Sequence, residues 1–398
     1  MTLELRYGAS NSIKLLTTER QTVRACSIAI PAIEDSLEQT LHTSLDKSIH
    51  FPAFKEIVFP EDTLAIAVGE GIPQTAQILQ SLLDYIQKHT ALSPNDITIV
   101  FANSTEAIAQ NELQTLLDEF LFASLEFEVH NPDIPEELAY LTATLEGEPI
   151  RLNKTLVDAD VVLPICTNLP NSIFGYAGFF HDLFPLYTET DTILRLRSKQ
   201  NAEELTRDAG EAAGMLGVQY LIKVTPGNAN TIHNITAGDT HSLQSAITAI
   251  ANDVWNHPTN QAEISIGSIS GSPTQQTWDN LARAYSALAK TTSPGGSIVL
   301  CTNIDGPLPG VIQLLSSNDA TQNLHEQLKQ HPEVDVQTAA EILRLRSEYH
   351  LYLLSHLNHD DVESIGLAHI ESPDQINNLI QSAETINCVG DAHRSAFH

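Results

Sequence analysis

Short apolar runs alternate with amphipathic segments along most of the chain. The run Leu64–Val68 is apolar at every position, which is typical of a strand buried on both faces of a parallel sheet. Apolar residues then recur at helical spacing up to Ile86, and Pro73 suits the first turn of the helix that they predict. The same alternation predicts further elements of a first series: strands at 3–7, 22–30, 96–101, 125–129, 161–165, 219–224 and 231–235, and helices at 113–120, around 192–216 and at 239–255.

A polar, proline-bearing segment at 256–260 interrupts this series, and a second series follows it. Its predicted strands lie at 264–269, 298–301, 350–354 and 385–389, its helices at 273–290, 336–345 and 373–384, and a turn at 294–296. Short apolar strands that alternate with helices favour mainly parallel sheets covered by helices. We therefore expect an α/β fold of two domains, residues 1–256 and 261–398, with a cleft between them.

The balance of charge restricts the partners of this chain. Acidic residues outnumber basic ones by 50 to 20 among 398 residues, which gives a formal net charge of -30 at pH 7. Such a charge repels nucleic acid and anionic membranes, and it disfavours anionic ligands unless a basic pocket offsets it. The acidic excess equally fits a solubility feature of an acidic cytoplasm.

Several classes of protein are not indicated by the sequence. The chain has no long apolar segment and starts without a basic region followed by an apolar stretch, so neither a membrane helix nor a signal peptide is expected. The four cysteines are widely spaced without a metal-binding pattern, and no phosphate-loop motif is present. We expect a cytoplasmic protein without a metal motif of its own.

Residues 172–185 read SIFGYAGFFHDLFP and follow the predicted strand at 161–165, so they predict a long strand-to-helix crossover. Together with LRYG at 5–8, DAD at 158–160 and AGD at 237–239, this segment resembles the nickel-pincer lactate racemase family. The resemblance covers nearly the whole chain. It implies two α/β domains, and a racemase or epimerase of 2-hydroxy acids, which is an isomerase.

The resemblance also implies a cofactor and a set of catalytic groups. In that family two histidines act as acid and base on a 2-hydroxy acid, and a nickel-bearing pyridinium nucleotide takes and returns a hydride. A lysine holds this cofactor covalently, a further histidine ligates nickel, and an arginine orients the substrate.

The positions that carry this chemistry differ in the present chain. Ile72 stands where the family has the arginine, Phe174 stands for the second acid/base histidine, and Arg197 lies near the position of the nickel histidine. The segment at 103–106 reads NSTE in place of the first histidine, and FHDLF at 180–184 contains no anchoring lysine. These departures predict that the nickel-pincer nucleotide is not held in the family's manner.

Three residues are candidates for proton transfer. His181 and Asp182 lie in the crossover, where a histidine beside a carboxylate could act as a general base, although a polar loop pair is the alternative. Glu106 occupies the loop of a lost histidine and could replace it, or it is a solvated loop acid.

Four residues are candidates for substrate binding. Glu70 lies in a Gly-Glu-Gly turn before a helix, and Tyr176 belongs to the aromatic run that would form apolar walls or else fill the old cofactor space. The glutamine and lysine of a family helix correspond to Asn280 and Arg283. Arg283 could bind a carboxylate or a phosphate across the cleft, or form a surface ion pair.

These candidates are predicted to form one site. The loops at 69–73, 103–106 and 174–182 follow apolar strands, and ligands collect at the carboxyl ends of parallel strands. The N-terminal half of the helix at 273–290 would face them. Two functions remain: a divergent racemase or epimerase scaffold for a small 2-hydroxy acid without nickel-pincer chemistry, or a non-catalytic protein that binds or senses a small anionic metabolite.

Overall fold

The computed structural model describes residues 2–103, 107–144, 147–169, 180–193, 202–316 and 336–398. Within these ranges the strands are, in chain order, β1 (Thr2–Tyr7), β2 (Asn11–Leu16), β3 (Thr22–Cys26), β4 (Leu64–Val68), β5 (Ile97–Phe101), β6 (Glu126–Val129), β7 (Leu138–Ala143), β8 (Pro149–Asn153), β9 (Val161–Thr167), β10 (Tyr220–Pro226), β11 (Ile232–Asp239), β12 (Asn256–His257), β13 (Ala262–Ser268), β14 (Thr292–Cys301), β15 (His350–Leu354), β16 (Ala368–Ile370), β17 (Thr385–Val389) and β18 (Ala396–Phe397).

Helices alternate with these strands. The α-helices in the described residues are Leu37–Asp46, Thr75–His89, Ile108–Leu116, Glu119–Ser124, Lys154–Asp158, Ala202–Met215, Thr240–Trp255, Trp278–Lys290, Gly310–Gln313, Val336–Glu348, His359–Ser364 and Pro373–Ile380. Among them, no helix is both long and apolar enough to cross a membrane.

The first sheet has the strand order β11-β10-β9-β4-β5-β6. All neighbours pair in parallel except β10 and β11, which are antiparallel. The chain proceeds outward from β4 through β5 to β6, and it then returns to place β9 on the other side of β4. The strand order therefore reverses between β4 and β9, which is where open α/β sheets have a crevice at the carboxyl ends of their strands.

The second sheet repeats this plan. Its order is β16-β15-β14-β13-β17-β3, and every neighbouring pair is parallel. Here the chain runs outward from β13 to β16 and returns with β17 on the other side of β13, so a second reversal lies between β13 and β17. The predicted class of two mainly parallel sheets covered by helices is confirmed.

The core follows from the apolar pattern of the central strands. Leu64, Ile66 and Val68 of β4 pack into one cluster with the helix Thr75–His89, whereas the intervening Ala65 and Ala67 pack into another cluster on the opposite face. Because both faces of β4 are covered, the strand is apolar throughout and does not alternate.

The amino-terminal strands lie with the second sheet. Strand β3 pairs with β17, and Leu5, Ile13 and Leu15 of the β1–β2 hairpin join the core cluster that contains Ile266. The domain range 1–256 stays a prediction, while these strands pair and pack with the second sheet. Local alternation shows that a segment is a strand, but it does not show which sheet edge the strand will cover. The boundary at 256–260 stays a prediction.

Two local predictions are also corrected. The helix predicted to include Pro73 in its first turn begins at Thr75, because Gln74 adopts a left-handed conformation with φ of 54° and bonds through its backbone N–H to Asn230. The turn predicted at 294–296 lies inside β14, where the register with β13 shifts. In both places a contact with a distant segment decides the local structure.

Candidate functional site

The two points of strand reversal open into one cavity of about 390 Å³. The loops that follow β4, β5 and β9 line it from the first sheet, and the segments that follow β13 and β17 line it from the second. The cavity therefore lies at the carboxyl ends of the strands of both sheets, where ligands bind in open α/β folds.

The loop after β4 approaches the floor of the cavity closely. The N–H of Gly69 donates to the carbonyl of Ile165 in β9 at 2.9 Å, which holds the loop across the reversal point. Glu70 follows, and its Oε1 accepts from Nδ2 of Asn103 at 2.9 Å. This bond joins the loops after two neighbouring strands, and it holds the Glu70 carboxylate at the cavity.

Asp182 is the buried carboxylate of the floor. Its side chain is 1% exposed, and its Oδ2 accepts from the backbone N–H of Thr167 at 2.7 Å and from the hydroxyl of Thr167 at 3.2 Å. Burial alone would raise the pKa of Asp182, but the adjacent His181 and the charge of Lys223 hold that pKa below its usual range. Asp182 is therefore ionised at neutral pH.

His181 lies between this carboxylate and the cavity. Its side chain is 19% exposed, and its Nε2 lies 3.2 Å from Oδ1 of Asp182 and 3.4 Å from Oγ1 of Thr167. The two neighbouring residues thus contact each other, and the pair can accept a proton from a bound molecule.

On the side of the second sheet, the N-terminus of a helix forms the wall of the cavity. Thr277 caps the helix Trp278–Lys290 by accepting from the N–H of Asn280 at 3.2 Å, and Nδ2 of Asn280 donates back to the carbonyl of Gln275 at 3.0 Å. Arg283 follows one turn later and is half-buried. Among the described residues it has neither an ion pair nor a hydrogen bond, and its Nε is shielded from solvent. A cation that no described residue pairs with therefore lines the cavity.

A polar cluster after β17 completes the second wall. Asp391 is 1% exposed, and its carboxylate accepts four hydrogen bonds, from the N–H and the hydroxyl of Ser270 and from the side chain of Asn228 and the N–H of Ala229. Arg394 donates to the carbonyl groups of Gly227 and Ala229 at 2.6 and 3.1 Å. Both side chains bind the β10–β11 turn, so they fix one domain against the other at the cavity.

The structure brings most of the predicted residues together. Glu70, His181, Asp182, Asn280 and Arg283 line the same cavity. Glu106 and Tyr176, like Phe174 and Arg197, lie outside the described residues. Their roles in catalysis or binding stay predictions.

Sequence reasoning missed the cluster at 391–394 and the buried Gln275. The rule that ligands collect at the carboxyl ends of parallel strands would have found this cluster, since Asp391, His393 and Arg394 directly follow the apolar strand β17. Nothing in the local pattern marks Gln275, which becomes a site residue because the second domain folds against the first.

Comparison with known proteins gives the chain its relatives. Residues 7–196 match the family model described as the lactate racemase N-terminal domain. These residues are therefore similar in sequence to a lactate racemase N-terminal domain. The match includes the cavity wall made by the loops after β4, β5 and β9 and by His181 and Asp182, and it confirms the family resemblance of the sequence.

Solved structures extend the likeness of this lactate racemase-like chain to its full length. The lactate racemase apoprotein from Thermoanaerobacterium thermosaccharolyticum is similar with a TM-score of 0.82 at 17% identity, over 100% of both chains. A protein from Thermotoga maritima is similar with a TM-score of 0.68 at 12% identity, over 92% of this chain and 99% of the other. At these identities the likeness shows the fold alone. None of the curated proteins matches the chain.

The nickel cofactor that the family implies needs a lysine amine and a metal ligand at the cavity. Within the described part of the chain, no lysine lines the cavity and no three His, Cys, Asp or Glu side chains are placed to hold a metal. Lys223 reaches the floor from below, but it is 2% exposed and its Nζ donates to the carbonyl of Thr167 at 3.1 Å. The described residues therefore do not fit a covalently held nickel nucleotide.

Proposed function

We propose that this lactate-racemase-like protein binds a small anionic 2-hydroxy acid in the cavity between its domains and does not carry out nickel-pincer racemisation. The observation that carries the proposal is Arg283, a half-buried cation on the cavity wall without an ion pair to any described residue. In a chain of net charge -30, a cation left without a carboxylate partner is a ready site for an anionic ligand.

The cavity suits a small carboxylate in size and lining. Arginine presents a planar fork of donors that matches a carboxylate. Leu169 and Trp278 supply apolar surface, while Glu70 and Asn280 supply convergent polar groups. A nucleic acid or a membrane is not a fitting partner for this acidic chain, and we propose a cytoplasmic metabolite as the ligand.

A second candidate function is favoured by one observation. His181 contacts the ionised Asp182 at the edge of the cavity, which is the arrangement of a general base. A divergent racemase or epimerase would use this pair to move a proton on the bound 2-hydroxy acid. The binding or sensing function requires no such step, so the two candidates differ in turnover and share the ligand.

The binding proposal is tested by calorimetry with glycolate, lactate and 2-hydroxyglutarate. Arg283→Met should weaken binding of the acid that binds best by at least about tenfold, because the charge-assisted bonds to its carboxylate are lost. Lys290→Met is the matched control, since Lys290 lies exposed on the last turn of the same helix. An unchanged affinity of Arg283→Met would contradict the proposal.

Turnover is tested separately. The purified protein is incubated with a single enantiomer of the acid that binds best, and the product is analysed by chiral chromatography. Racemisation that His181→Gln abolishes would select the enzyme over the sensor. Metal analysis and intact mass of protein produced beside the cofactor-synthesis enzymes test the loss of pincer chemistry, and bound nickel with an added covalent mass would refute it.

A further inference from the structure

His393 is a cavity residue that neither the sequence reasoning nor the proposed carboxylate site uses. It lies in the one-turn helix Ala392–Arg394 that follows β17, it lines the cavity, and it is 9% exposed. The cluster around it is built from both domains, because Arg394 also holds the β10–β11 turn.

The hydrogen bonds of Gln275 determine which ring nitrogen of His393 carries the proton. Nη2 of Arg394 lies 3.2 Å from Oε1 of Gln275, and a guanidinium can only donate, so this atom is an acceptor. Nε2 of His393 lies 3.3 Å from the same oxygen. Nε2 must then carry the hydrogen and donate it, which leaves Nδ1 with its lone pair.

Nδ1 is the unused atom of this network. It is buried, and none of the described residues donates a hydrogen bond to it. A buried acceptor without a donor is costly, commonly by about 1–3 kcal/mol, so such atoms are rare outside sites where a ligand or an ordered water supplies the donor.

His393 is also held in its neutral form. Burial lowers its pKa to about 3, the charges of Arg394 and Arg283 act in the same direction, and only Asp391 opposes them. A neutral imidazole with so low a pKa is a poor proton shuttle at physiological pH. Its remaining capacity is to accept one hydrogen bond through Nδ1.

We propose that His393 is the specificity-determining residue of the cavity, whose Nδ1 accepts a hydrogen bond from the hydroxyl group of a ligand held through its carboxylate by Arg283. This inference rests on the proposed function. A second carboxylate would bring an acceptor against an acceptor, and an ammonium group would lie near two arginines, which repel it. A hydroxyl is the donor that the surroundings of His393 admit.

The test compares hydroxy acids with their deoxy partners: glycolate with acetate, lactate with propionate, and 2-hydroxyglutarate with glutarate. The wild-type protein should bind the hydroxy acid of its preferred pair about tenfold more tightly, since a site built around a hydroxyl leaves a buried group unpaired without it. In His393→Phe the preference should fall to within about threefold, while the affinity for the deoxy acid stays similar. His393→Asn, which keeps an acceptor at the place of Nδ1, should retain part of the preference. An undiminished preference in His393→Phe would overturn the inference.

A further comparison needs no variant of His393 and so does not depend on its folding. Wild-type protein should bind the amino acid analogue of its preferred hydroxy acid, alanine for lactate, more weakly than the deoxy acid. Equal binding of alanine and lactate, or no hydroxyl preference in any pair, refutes the role of His393. Arg283→Met distinguishes the two proposals, because it should weaken both members of a pair equally. If neither member depends on Arg283, the proposed carboxylate site fails as well.

Discussion

Gly69 and Asp182 pack so closely that a Cβ atom on Gly69 would lie 2.6 Å from the Cβ atom of Asp182. The contact joins the loop after β4 to the floor of the cavity, and it sets how deeply the carboxylate sits beneath that loop. A glycine is required here by the close approach of a side chain, since Gly69 does not have a left-handed backbone conformation.

Gly69→Ala should destabilise the protein, because the added methyl group overlaps a buried side chain that has no room to move. We expect a loss of about 1–3 kcal/mol in the free energy of unfolding, measured by urea denaturation. Gly210→Ala is the control: a Cβ atom there meets nothing within 4 Å, and Gly210 lies in the helix Ala202–Met215. That change should be neutral or stabilising by up to about 1 kcal/mol. Equal effects of the two changes would contradict the packing argument.

Asp391→Asn should weaken the contact between the segment after β17 and the β10–β11 turn. The variant keeps the side-chain shape and tolerates the left-handed conformation of this residue, which has φ of 46°, but it turns one carboxylate oxygen into a donor that faces other donors. We expect a loss of about 2–4 kcal/mol at pH 7 in urea denaturation. Asp305→Asn, at an exposed position, should change stability by no more than about 0.5 kcal/mol.

The effect of Asp391→Asn should depend on pH in a defined direction. Burial by itself would raise the pKa of Asp391, but the charge of Arg394 and the hydrogen bonds from Ser270 hold the pKa below its usual value. The carboxylate therefore contributes its full stability above about pH 4 and loses it as the pH falls through the lower folded-state value. The difference between wild type and variant should shrink below pH 4. A difference that grows on acidification would show that the carboxyl group is protonated in the folded protein.

His393 predicts a second pH dependence of stability. Here the folded state favours the neutral form of the side chain. Its pKa is about 3 in the folded protein, whereas an unfolded histidine takes up a proton below about pH 6.5. Acidification between these values favours the unfolded chain, so the wild type loses stability as the pH falls. His393→Asn should reduce this slope between pH 6 and pH 4 by up to about 1.4 kcal/mol per pH unit. An equal slope in wild type and His393→Asn would mean that His393 is charged in the folded state.

Much of the fold could be predicted because the burial of a strand or helix is reflected in its own pattern of apolar and polar residues. The strands His350–Leu354 and Thr385–Val389 lie where the apolar runs predict them, and Asp239 caps its helix by accepting from the N–H groups of His241 and Ser242. These features depend on a residue and its near neighbours in the chain. The first strand of the β7–β8 hairpin has no buried residue, since five of its residues are half-buried and Tyr140 is exposed, and this weaker apolar signal gave no prediction for the hairpin.

By itself the sequence determined most of the buried strands and helices, and that polar loops follow the apolar strands of the first domain, because the periodicity of burial is recorded residue by residue. Only the tertiary structure decided that β3 covers the edge of β17, and that the two points of strand reversal face one cavity. It also decided that Asp391 and Arg394 meet a turn more than 150 residues away in the chain. Such contacts depend on the packing of complete surfaces against one another, and no local pattern of apolar and polar residues encodes that packing.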